Sequence, residues 1–282
     1  MSAPTFRGGA LVTGGARGLG YEIARRLVDR GHMVHVTDLD AEAATQAAER
    51  LGPTAFASAL DVRDPQACHA AASVTVERAG SLAVWVNNAG VLITGPAWEQ
   101  DAATRRLMVE VNALGTMNGT LAALEQMRAS GRGHVVNIVS LAGIVAAPGE
   151  TVYSASKHAA IAFSIGTLAD LRQAGIRGID ISCICPDGIW TPMLHDKLDD
   201  PAAAASFTGV LLQPGQVADR VAELLDHPRP VLTVPRWRGA FVRVVDRWPS
   251  LAVRGVGPIL AYGRLQQRRL ARKIQAGRWP SS

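Results

Sequence analysis

Short apolar runs alternate with amphipathic stretches along most of this chain of 282 residues. The runs have the length of buried strands, and the stretches between them place apolar residues at helical spacing. The pattern predicts strands near 9–13, 33–37, 55–59, 82–87, 133–139, 178–184 and 230–234. It predicts helices near 18–30, 40–51, 64–79, 99–130, 152–174 and 215–226. This alternation indicates an α/β fold, a doubly wound seven-stranded parallel sheet with helices on both faces and ligands at the strands' carboxyl ends.

Composition narrows the class of protein. Cys68, Cys183 and Cys185 form no disulfide framework, and strand neighbours such as Cys183 and Cys185 are poorly placed for a bridge. Reduced thiols fit a cytoplasmic location. The seven histidines have no ligand spacing, so no metal site is expected. No signal peptide is expected, and no run approaches the ~20 apolar residues that span a bilayer.

Charge is distributed unevenly between a body, residues 1–235, and a C-terminal extension, residues 236–282. The extension has eleven Arg or Lys residues and one acid, a net charge of +10, whereas the whole chain carries +5. Its aromatic residues are Trp237, Phe241, Trp248, Tyr262 and Trp279. This composition favours amphipathic helices on an anionic membrane surface. Alternatively, the extension packs on the body or on a neighbouring subunit; nothing resembles a nucleic-acid motif, so no nucleic-acid partner is expected.

A glycine-rich turn follows the first predicted strand and opens the first predicted helix. It reads Gly-Gly-Ala-Arg-Gly-Leu-Gly over residues 14–20. Glycines allow a tight turn and close approach of the backbone to a pyrophosphate, which the helix N-terminus also attracts. Strand, glycine turn and helix in this order predict a dinucleotide site. Its candidate residues are Gly14, Arg17, Gly18, Leu19 and Gly20.

Asp38, at the end of the second predicted strand, bears on which dinucleotide binds. Its carboxylate can accept hydrogen bonds from both hydroxyls of an adenosine ribose, and it would repel a 2′-phosphate. Arg17 argues in the other direction, because a basic residue in the turn can pair with a phosphate. Direct repulsion is the stronger effect, so the sequence predicts NAD rather than NADP.

Tyr153 and Lys157 lie four residues apart in a predicted helix, and Ser140 lies thirteen residues before Tyr153. The spacing places the phenol and the ammonium on one helix face. A phenol titrates near pH ~10, and a nearby cation favours its phenolate, which suits a general acid/base. Such pairs are often only exposed neighbours; the dinucleotide site upstream favours the catalytic interpretation.

These motifs together resemble the short-chain dehydrogenase/reductase family over roughly residues 6–235. The glycine turn, the Asn-Asn-Ala-Gly run at 87–90 and the Tyr-x-x-x-Lys run stand in that family's order. The resemblance implies a Rossmann-type fold. The positions that match the family's catalytic tetrad are Asn112, Ser140, Tyr153 and Lys157. Further positions that match its cofactor contacts are Asp61, Val62, Asn88, Gly90, Ile189 and Thr191, besides Tyr153 and Lys157 themselves.

The resemblance also implies a role for each member of the tetrad. Tyr153 would be the base in alcohol oxidation and the acid in ketone reduction. Lys157 would lower the pKa of Tyr153 and hold the nicotinamide ribose. Ser140 would hydrogen-bond the substrate oxygen, and Asn112 would place a water that links Lys157 to solvent.

One position departs from the family pattern. Where the family reads Pro-Gly-x-x-x-Thr, residues 186–191 read Pro-Asp-Gly-Ile-Trp-Thr, so Asp187 occupies the glycine position. This segment resembles the one that holds the nicotinamide carboxamide, through the backbone of Ile189 and the hydroxyl of Thr191. The carboxylate of Asp187 could bias cofactor affinity or point into solvent, and both alternatives stay open.

The segment at 193–213 resembles the family's substrate lid. Its large side chains favour a hydrophobic substrate, or else pack on the body; they are Leu194, Leu198, Phe207, Val210, Leu211 and Leu212. We expect an NAD-dependent dehydrogenase of a hydrophobic secondary alcohol or ketone, such as a steroid, a sterol or a long-chain hydroxy compound. An NADPH-dependent carbonyl reductase and a non-catalytic NAD-sensing protein are the alternatives.

The resemblance finally implies a homo-oligomer, a tetramer or a dimer, that pairs through the helices near 99–130 and 152–174. Small residues on these helices would allow close approach of two helices; they are Ala122, Ala123, Ala159, Ala160 and Ala162.

Overall fold

The structure is a computed structural model that describes residues 7–278. Residues 1–6 and 279–282, at the ends of the two predicted segments, lie outside the described residues. Trp279, one of the aromatic residues of the extension, is among them.

The sheet has seven strands, and each lies within about two residues of its predicted position. They are β1 (Gly9–Thr13), β2 (Met33–Asp38), β3 (Ala55–Ala59), β4 (Leu82–Asn87), β5 (Gly133–Ile138), β6 (Ile179–Pro186) and β7 (Val231–Val234). All pair in parallel, in the order β3-β2-β1-β4-β5-β6-β7. The strand order reverses between β1 and β4, which is where such sheets bind ligands.

Helices cover both faces of the sheet, which confirms the predicted fold class. The body contains α1 (Gly18–Asp29), α2 (Ala41–Leu51), α3 (Pro65–Ala79), α4 (Ala102–Val109), α5 (Gly115–Ser130), α6 (Thr151–Gln173), α7 (Pro192–His195) and α8 (Pro214–Asp226). Apolar residues of α1, α2 and α8 pack on one face, and those of α3, α5 and α6 pack on the other.

The single helix predicted near 99–130 is wrong in one respect, because it is two helices joined by a π-helical turn at Glu110–Leu114. The first helix begins only after Asp101, whose carboxylate caps it by accepting from the Thr104 amide at 2.6 Å. At the start of α5, Gly115 lies so close to Val62 that a Cβ there would be 2.6 Å from a Val62 methyl. The absence of a side chain at Gly115 therefore lets the helix approach this loop.

The C-terminal extension is helical, as the sequence predicts. It forms α9 (Arg236–Asp246), α10 (Pro249–Arg254) and α11 (Val256–Gln275). The inner side of α11 packs on the short helical segment at Pro201–Phe207: the Gln267 amide donates to the carbonyls of Lys197 at 3.1 Å and Asp200 at 2.9 Å. Packing on the body is thus correct for this side of the extension.

The small residues of α5 and α6 that were expected at a contact between subunits are only partly available for one. Ala122, Ala123 and Ala160 are buried within the protomer, so they cannot mediate contact between subunits. They are buried because α5 and α6 pack directly on the sheet. Ala162 is exposed.

The three cysteines are free and buried, as expected. Across residues 7–278, no group of side chains is arranged to hold a metal ion. Within the same part of the chain, none of the helices combines the length and the apolar character that crossing a bilayer demands.

Candidate active site

A cavity of about 840 Å³ opens at the carboxyl ends of the strands. It extends from the glycine turn, past the ends of β2 to β6, to the start of α6 and the extension. The predicted cofactor and catalytic residues line this cavity, with the exception of Asn112. Residues that the sequence interpretation scattered over 178 positions, from Gly14 to Thr191, therefore meet at one site.

The glycine turn is fixed with its backbone towards the cavity. Gly14 and Gly18 have φ values of +60° and +56°, and a Cβ on Gly20 would overlap the carbonyl oxygen of Gly14. The Asn88 amide donates to the carbonyls of Thr13 at 3.0 Å and Gly14 at 2.9 Å. The turn thus presents unobstructed backbone before the N-terminus of α1, which is an arrangement that binds phosphate.

Carboxylates line the part of the cavity wall that follows β2 and β3. Asp38 accepts a hydrogen bond from the Ala16 amide at 3.2 Å, so its side chain faces the turn. Asp61 forms an ion pair with Arg63 at 2.6 Å, and hydrogen bonds from that guanidinium lower the pKa of Asp61. Arg63 lines the cavity but was not among the predicted residues, although its position two residues after Asp61 could have suggested it.

Ser140, Tyr153 and Lys157 converge beside β5. The hydroxyl of Ser140 hydrogen-bonds the half-buried Tyr153 phenol and also accepts from the Ala142 amide at 3.1 Å. The Lys157 ammonium donates to the Ile138 carbonyl at 3.0 Å and lies 5.7 Å from the centre of the Tyr153 ring. Serine and lysine therefore approach the tyrosine from the strand end and from the next turn of α6.

The electrostatics of this group differ from the sequence expectation. Burial raises the pKa of Tyr153, the carboxyl of Glu150 acts in the same direction, and the hydrogen bond from Ser140 opposes both. Burial also lowers the pKa of Lys157 to about 8. In the protein alone, desolvation thus outweighs the effect that a nearby ammonium was expected to have on the phenol.

Asn112 lies behind the cavity wall, fully buried in the π-helical turn. Its side-chain oxygen accepts from the Val91 amide at 2.8 Å. Its amide group donates to the Val91 carbonyl at 2.9 Å and to the Ser156 hydroxyl at 3.1 Å. The side chain therefore connects the segment after β4 to helix α6.

Glu150 is an ionisable residue of the cavity wall that the sequence interpretation missed. It is 2% exposed and accepts a hydrogen bond from the Ser206 hydroxyl at 2.6 Å. Burial raises the pKa of its carboxyl to about 7. Glu150 directly precedes α6, three residues before Tyr153, and this short separation could have indicated it.

Asp187 does not point into solvent, which excludes one of the two sequence alternatives. Its side chain is 7% exposed and forms an ion pair with Arg238 of α9 at 3.0 Å. It also accepts from the Val210 amide at 2.9 Å and the Gly188 amide at 3.1 Å. Arg238 and Val242 line the cavity, so the extension contributes to its wall. No local pattern in the sequence marked these two residues.

The apolar lid residues mostly face away from the cavity. Of the six named from the sequence, Leu194 lines it. Phe207, Leu198 and Leu211 pack with Leu270 of α11, whereas Leu212 joins the core beside α8. Packing on the body is thus the better interpretation for most of this segment, because α11 covers it.

Comparison with known proteins agrees with this geometry. A family model described as short chain dehydrogenase matches residues 9–202. L-fucose dehydrogenase of Bos taurus is 36% identical over 221 residues, which are 75% of this chain and 79% of that protein. Cyclopentanol dehydrogenase of Comamonas testosteroni is 33% identical over 223 residues, which are 76% of this chain and 88% of that protein.

A solved structure shares the fold. It is a short chain dehydrogenase/reductase from Burkholderia phymatum in complex with NAD, with a TM-score of 0.80 and 24% sequence identity, and the match covers 89% of this chain and 97% of that one. The family model covers more than half of the chain, and the relatives match over three quarters of it. The chain therefore belongs to the short-chain dehydrogenase/reductase family of oxidoreductases.

Proposed function

We propose that this protein is an NAD-dependent dehydrogenase that interconverts a hydrophobic secondary alcohol and its ketone, with Tyr153 as the general acid/base. The observation that carries the proposal is the convergence of Ser140, Tyr153 and Lys157 in one cavity with the glycine turn. A cytoplasmic location is part of the proposal and is supported by the three free thiols.

The residues at the turn fit a dinucleotide. Gly14, Gly18 and Gly20 leave the space that a pyrophosphate needs, since a Cβ on Gly20 would overlap backbone. Backbone and hydroxyl groups of Ile189 and Thr191, which line the cavity after β6, would hold the nicotinamide. When bound, the nicotinamide supplies the acceptor or donor of the hydride.

The preference for NAD is supported by the charges at the adenosine end. Asp38, Asp40 and Asp61 line this part of the cavity together with Arg17 and Arg63. Asp61 engages the guanidinium of Arg63, which leaves Arg17 against two carboxylates. A 2′-phosphate would meet net negative charge there and be repelled.

Each residue of the tetrad then has a task that its position supports. Tyr153 takes the hydroxyl proton in oxidation and returns it in reduction. Ser140 hydrogen-bonds the substrate oxygen, whose charge changes during the reaction. Lys157 supplies positive charge behind the phenol and binds ribose hydroxyls. We propose for Asn112 the ordering of a water beside Lys157, and its bonds to Val91 and Ser156 keep that region in place.

A hydrophobic substrate is supported by the wall around Tyr153. Five large apolar side chains are among those that line this cavity; they are Leu141, Val145, Met193, Leu194 and Val242. The charged groups nearby are already satisfied, because Asp187 pairs with Arg238 and Glu150 accepts from Ser206. A steroid, a sterol or a long-chain hydroxy compound has the extended apolar body that such a wall can bury.

The decisive experiment is a screen of secondary alcohols that follows NADH absorbance, with Tyr153→Phe as the test variant. We expect the variant to lose about 10²–10⁴-fold in turnover, as is typical when a general acid/base is removed. NADH affinity should stay within a few-fold, because the ring remains to pack. Tyr262→Phe removes the hydroxyl of an exposed tyrosine and is the matched control.

The two alternatives give different results in the same experiment. Turnover with NADPH and ketones alone would favour a carbonyl reductase. Tight NAD binding without turnover of any alcohol would favour a cofactor sensor. Retention of more than about a tenth of the activity by Tyr153→Phe would refute the proposed role of the phenol.

The proposed arrangement of the chain is a catalytic domain at 1–235 and an extension at 236–282, assembled into a homodimer or homotetramer. Subunit pairing through α4 to α6 is supported by large apolar side chains that these helices expose. They are Val109, Leu114, Leu121 and Ile165, each between 40% and 50% exposed.

A further inference from the structure

Helix α9 carries an apolar stripe on its exposed side. Trp237, Phe241, Val244 and Trp248 are 60%, 51%, 56% and 54% exposed. Trp237, Phe241 and Val244 are spaced i, i+4 and i+7, which places them along one face of α9, and Trp248 follows two residues after the helix ends. Gly239 and Val242, on the opposite face, are buried against the body. The helix is therefore already packed on one side, and the stripe is a second, free apolar surface.

The stripe is part of a wider concentration of exposed apolar residues. Of seventeen large hydrophobic side chains that are exposed among residues 7–278, nine lie in the extension. Leu251 and Val253 of α10, which follows directly, are 62% and 73% exposed. Single exposed hydrophobic residues need no explanation, but a contiguous group marks a surface that binds something.

Arginines border the stripe. Arg236 and Arg243 of α9 and Arg247, directly after the helix, lie along one flank about two turns and one turn apart, and all three are exposed. Arg236 has a distant partner in Glu223 at 3.9 Å. For Arg243 and Arg247 no salt bridge occurs within the part of the chain that the structure describes.

Charge complementarity selects the occupant. The extension has a net charge of +10 with a single acid, Asp246, so a second copy placed symmetrically on the stripe would bring like charges together. A surface that is apolar beneath and anionic above matches tryptophans flanked by arginines, because tryptophan prefers the boundary between water and hydrocarbon. We propose that the α9 stripe docks this protein on an anionic lipid surface as a peripheral membrane protein.

The position of α9 gives this docking a consequence for the enzyme. Arg238 and Val242 line the catalytic cavity, so one helix, about 10 Å across, separates the lipid-facing stripe from the cavity. If the proposed hydrophobic substrate is correct, the docked enzyme would take an alcohol from the bilayer beside its own cavity wall. This step rests on the proposed function, whereas the docking itself does not.

The test is co-sedimentation of the full chain with vesicles of phosphatidylcholine mixed with phosphatidylserine, and with vesicles of phosphatidylcholine alone. We expect binding to the mixed vesicles at about 0.1 M salt and much weaker binding at about 1 M, where the Debye length falls to ~3 Å. Trp237→Ser with Phe241→Ser should weaken binding at least about tenfold through lost apolar burial. Arg243→Gln and Arg247→Gln should each weaken it about fivefold.

Matched control variants distinguish binding through the stripe from binding through any exposed tryptophan or arginine. Trp98 is 85% exposed outside the extension, and Trp98→Ser should leave vesicle binding unchanged. Arg132→Gln, at an exposed arginine outside the extension, should do the same. NADH binding measured on every variant reports whether the fold is intact.

Three results would overturn the docking proposal. They are full-length protein that stays in the supernatant with mixed vesicles at low salt, equal loss of binding in stripe and control variants, and a stripe variant that changes the sedimentation mass instead of lipid binding. Vesicle binding needs no substrate, so an enzyme without alcohol turnover that still binds vesicles would refute the proposed function and leave the docking standing.

Discussion

At the scale of single residues, two acidic groups line the candidate active site: the phenol of Tyr153 and the carboxyl of Glu150. Burial raises the pKa of both, and Glu150 adds to the effect on Tyr153. A phenol with a raised pKa stays protonated, which is the form that donates to a ketone, but it is also a weaker acid. Alcohol oxidation requires positive charge close to the phenol, and Lys157 stands one helical turn away to supply part of it.

The raised pKa of Glu150 leads to a prediction about how the free energy of unfolding depends on pH. Its pKa is raised from 4.5 to about 7, so the folded protein holds a proton between these values that the unfolded chain has lost. The free energy of unfolding should therefore fall as pH rises from about 4.5 to 7. Glu150→Gln cannot ionise, and we expect its stability relative to the unmodified protein to increase by about 3 kcal/mol across this interval.

Urea unfolding of the two proteins at several pH values measures the difference. Glu77→Gln, at an exposed glutamate, is the control and should follow the unmodified protein. Parallel curves for Glu150→Gln and the unmodified protein would mean that the carboxyl is not desolvated in solution.

Asp38 makes a prediction about the cofactor. We expect the unmodified protein to bind NADH more tightly than NADPH, and Asp38→Ala to narrow the ratio by about tenfold, because the repulsion of a 2′-phosphate is removed. Fluorescence titration with both cofactors gives the two dissociation constants. Equal affinities in the unmodified protein would shift the weight to Arg17 and contradict the NAD assignment.

At the scale of elements, the local sequence pattern predicts the strands and the short helices. The places where the structure differs from that prediction involve contacts between residues that are distant in the sequence. Each strand is a short apolar run, so its position can be predicted without knowledge of its neighbours. Gly115, directly after the π-helical turn, lies against Val62, which is far away in the sequence. The lid depends on α11, whose Leu270 covers Phe207. No periodicity encodes such pairs.

The candidate site divides in the same way. Gly14, Ser140, Tyr153 and Lys157 belong to motifs with fixed spacing, so the sequence alone located them. Arg238 belongs to no motif, and it reaches the cavity because α9 follows β7 directly. The departure of Asp187 from the family pattern indicated that something differed there, but its partner lies 51 residues away.

The ion pair between Asp187 and Arg238 connects two elements, and we expect it to contribute to the free energy of unfolding. Both side chains are largely buried, at 7% and 13% exposure, so removal of one partner leaves the other desolvated without its counter-charge. We expect Arg238→Gln to lower the free energy of unfolding by about 3 kcal/mol and Asp187→Asn to have a similar effect. The double variant should lose less than the sum of the two, with a coupling energy of about 2 kcal/mol.

A double-mutant cycle measured by urea unfolding tests this coupling. The exposed pair Arg220 and Glu223, with side chains 55% and 39% exposed, is the control and should show a coupling of less than about 1 kcal/mol. Equal coupling in the two cycles would show that burial does not strengthen the inner pair.

At the scale of the whole molecule, two groups of exposed apolar side chains stand out. One is on α4 to α6 and is proposed for subunit pairing, and the other is the α9 stripe. The extension carries a net charge of +10, so pairing of two copies through the α9 stripe would bring like charges together.

The assembly makes the last prediction. Analytical sedimentation at micromolar concentration should give a mass of two or four times 29.8 kDa. Leu121→Lys with Ile165→Lys places two charges on the exposed apolar surface and should give the mass of one chain. Trp98→Lys, at an exposed residue elsewhere, should leave the mass unchanged. A native mass of one chain would exclude the oligomer.

The buried pair between Asp187 and Arg238 also constrains how this protein can evolve. A glycine at position 187 would carry no charge, so it would not need Arg238 as a counter-charge. With aspartate at this position, deletion of the extension leaves a buried carboxylate at the cavity wall without its partner. Loss of the extension then requires two changes in a fixed order: Asp187 is replaced first, and the extension is deleted afterwards. The aspartate therefore makes loss of the extension less accessible to evolution.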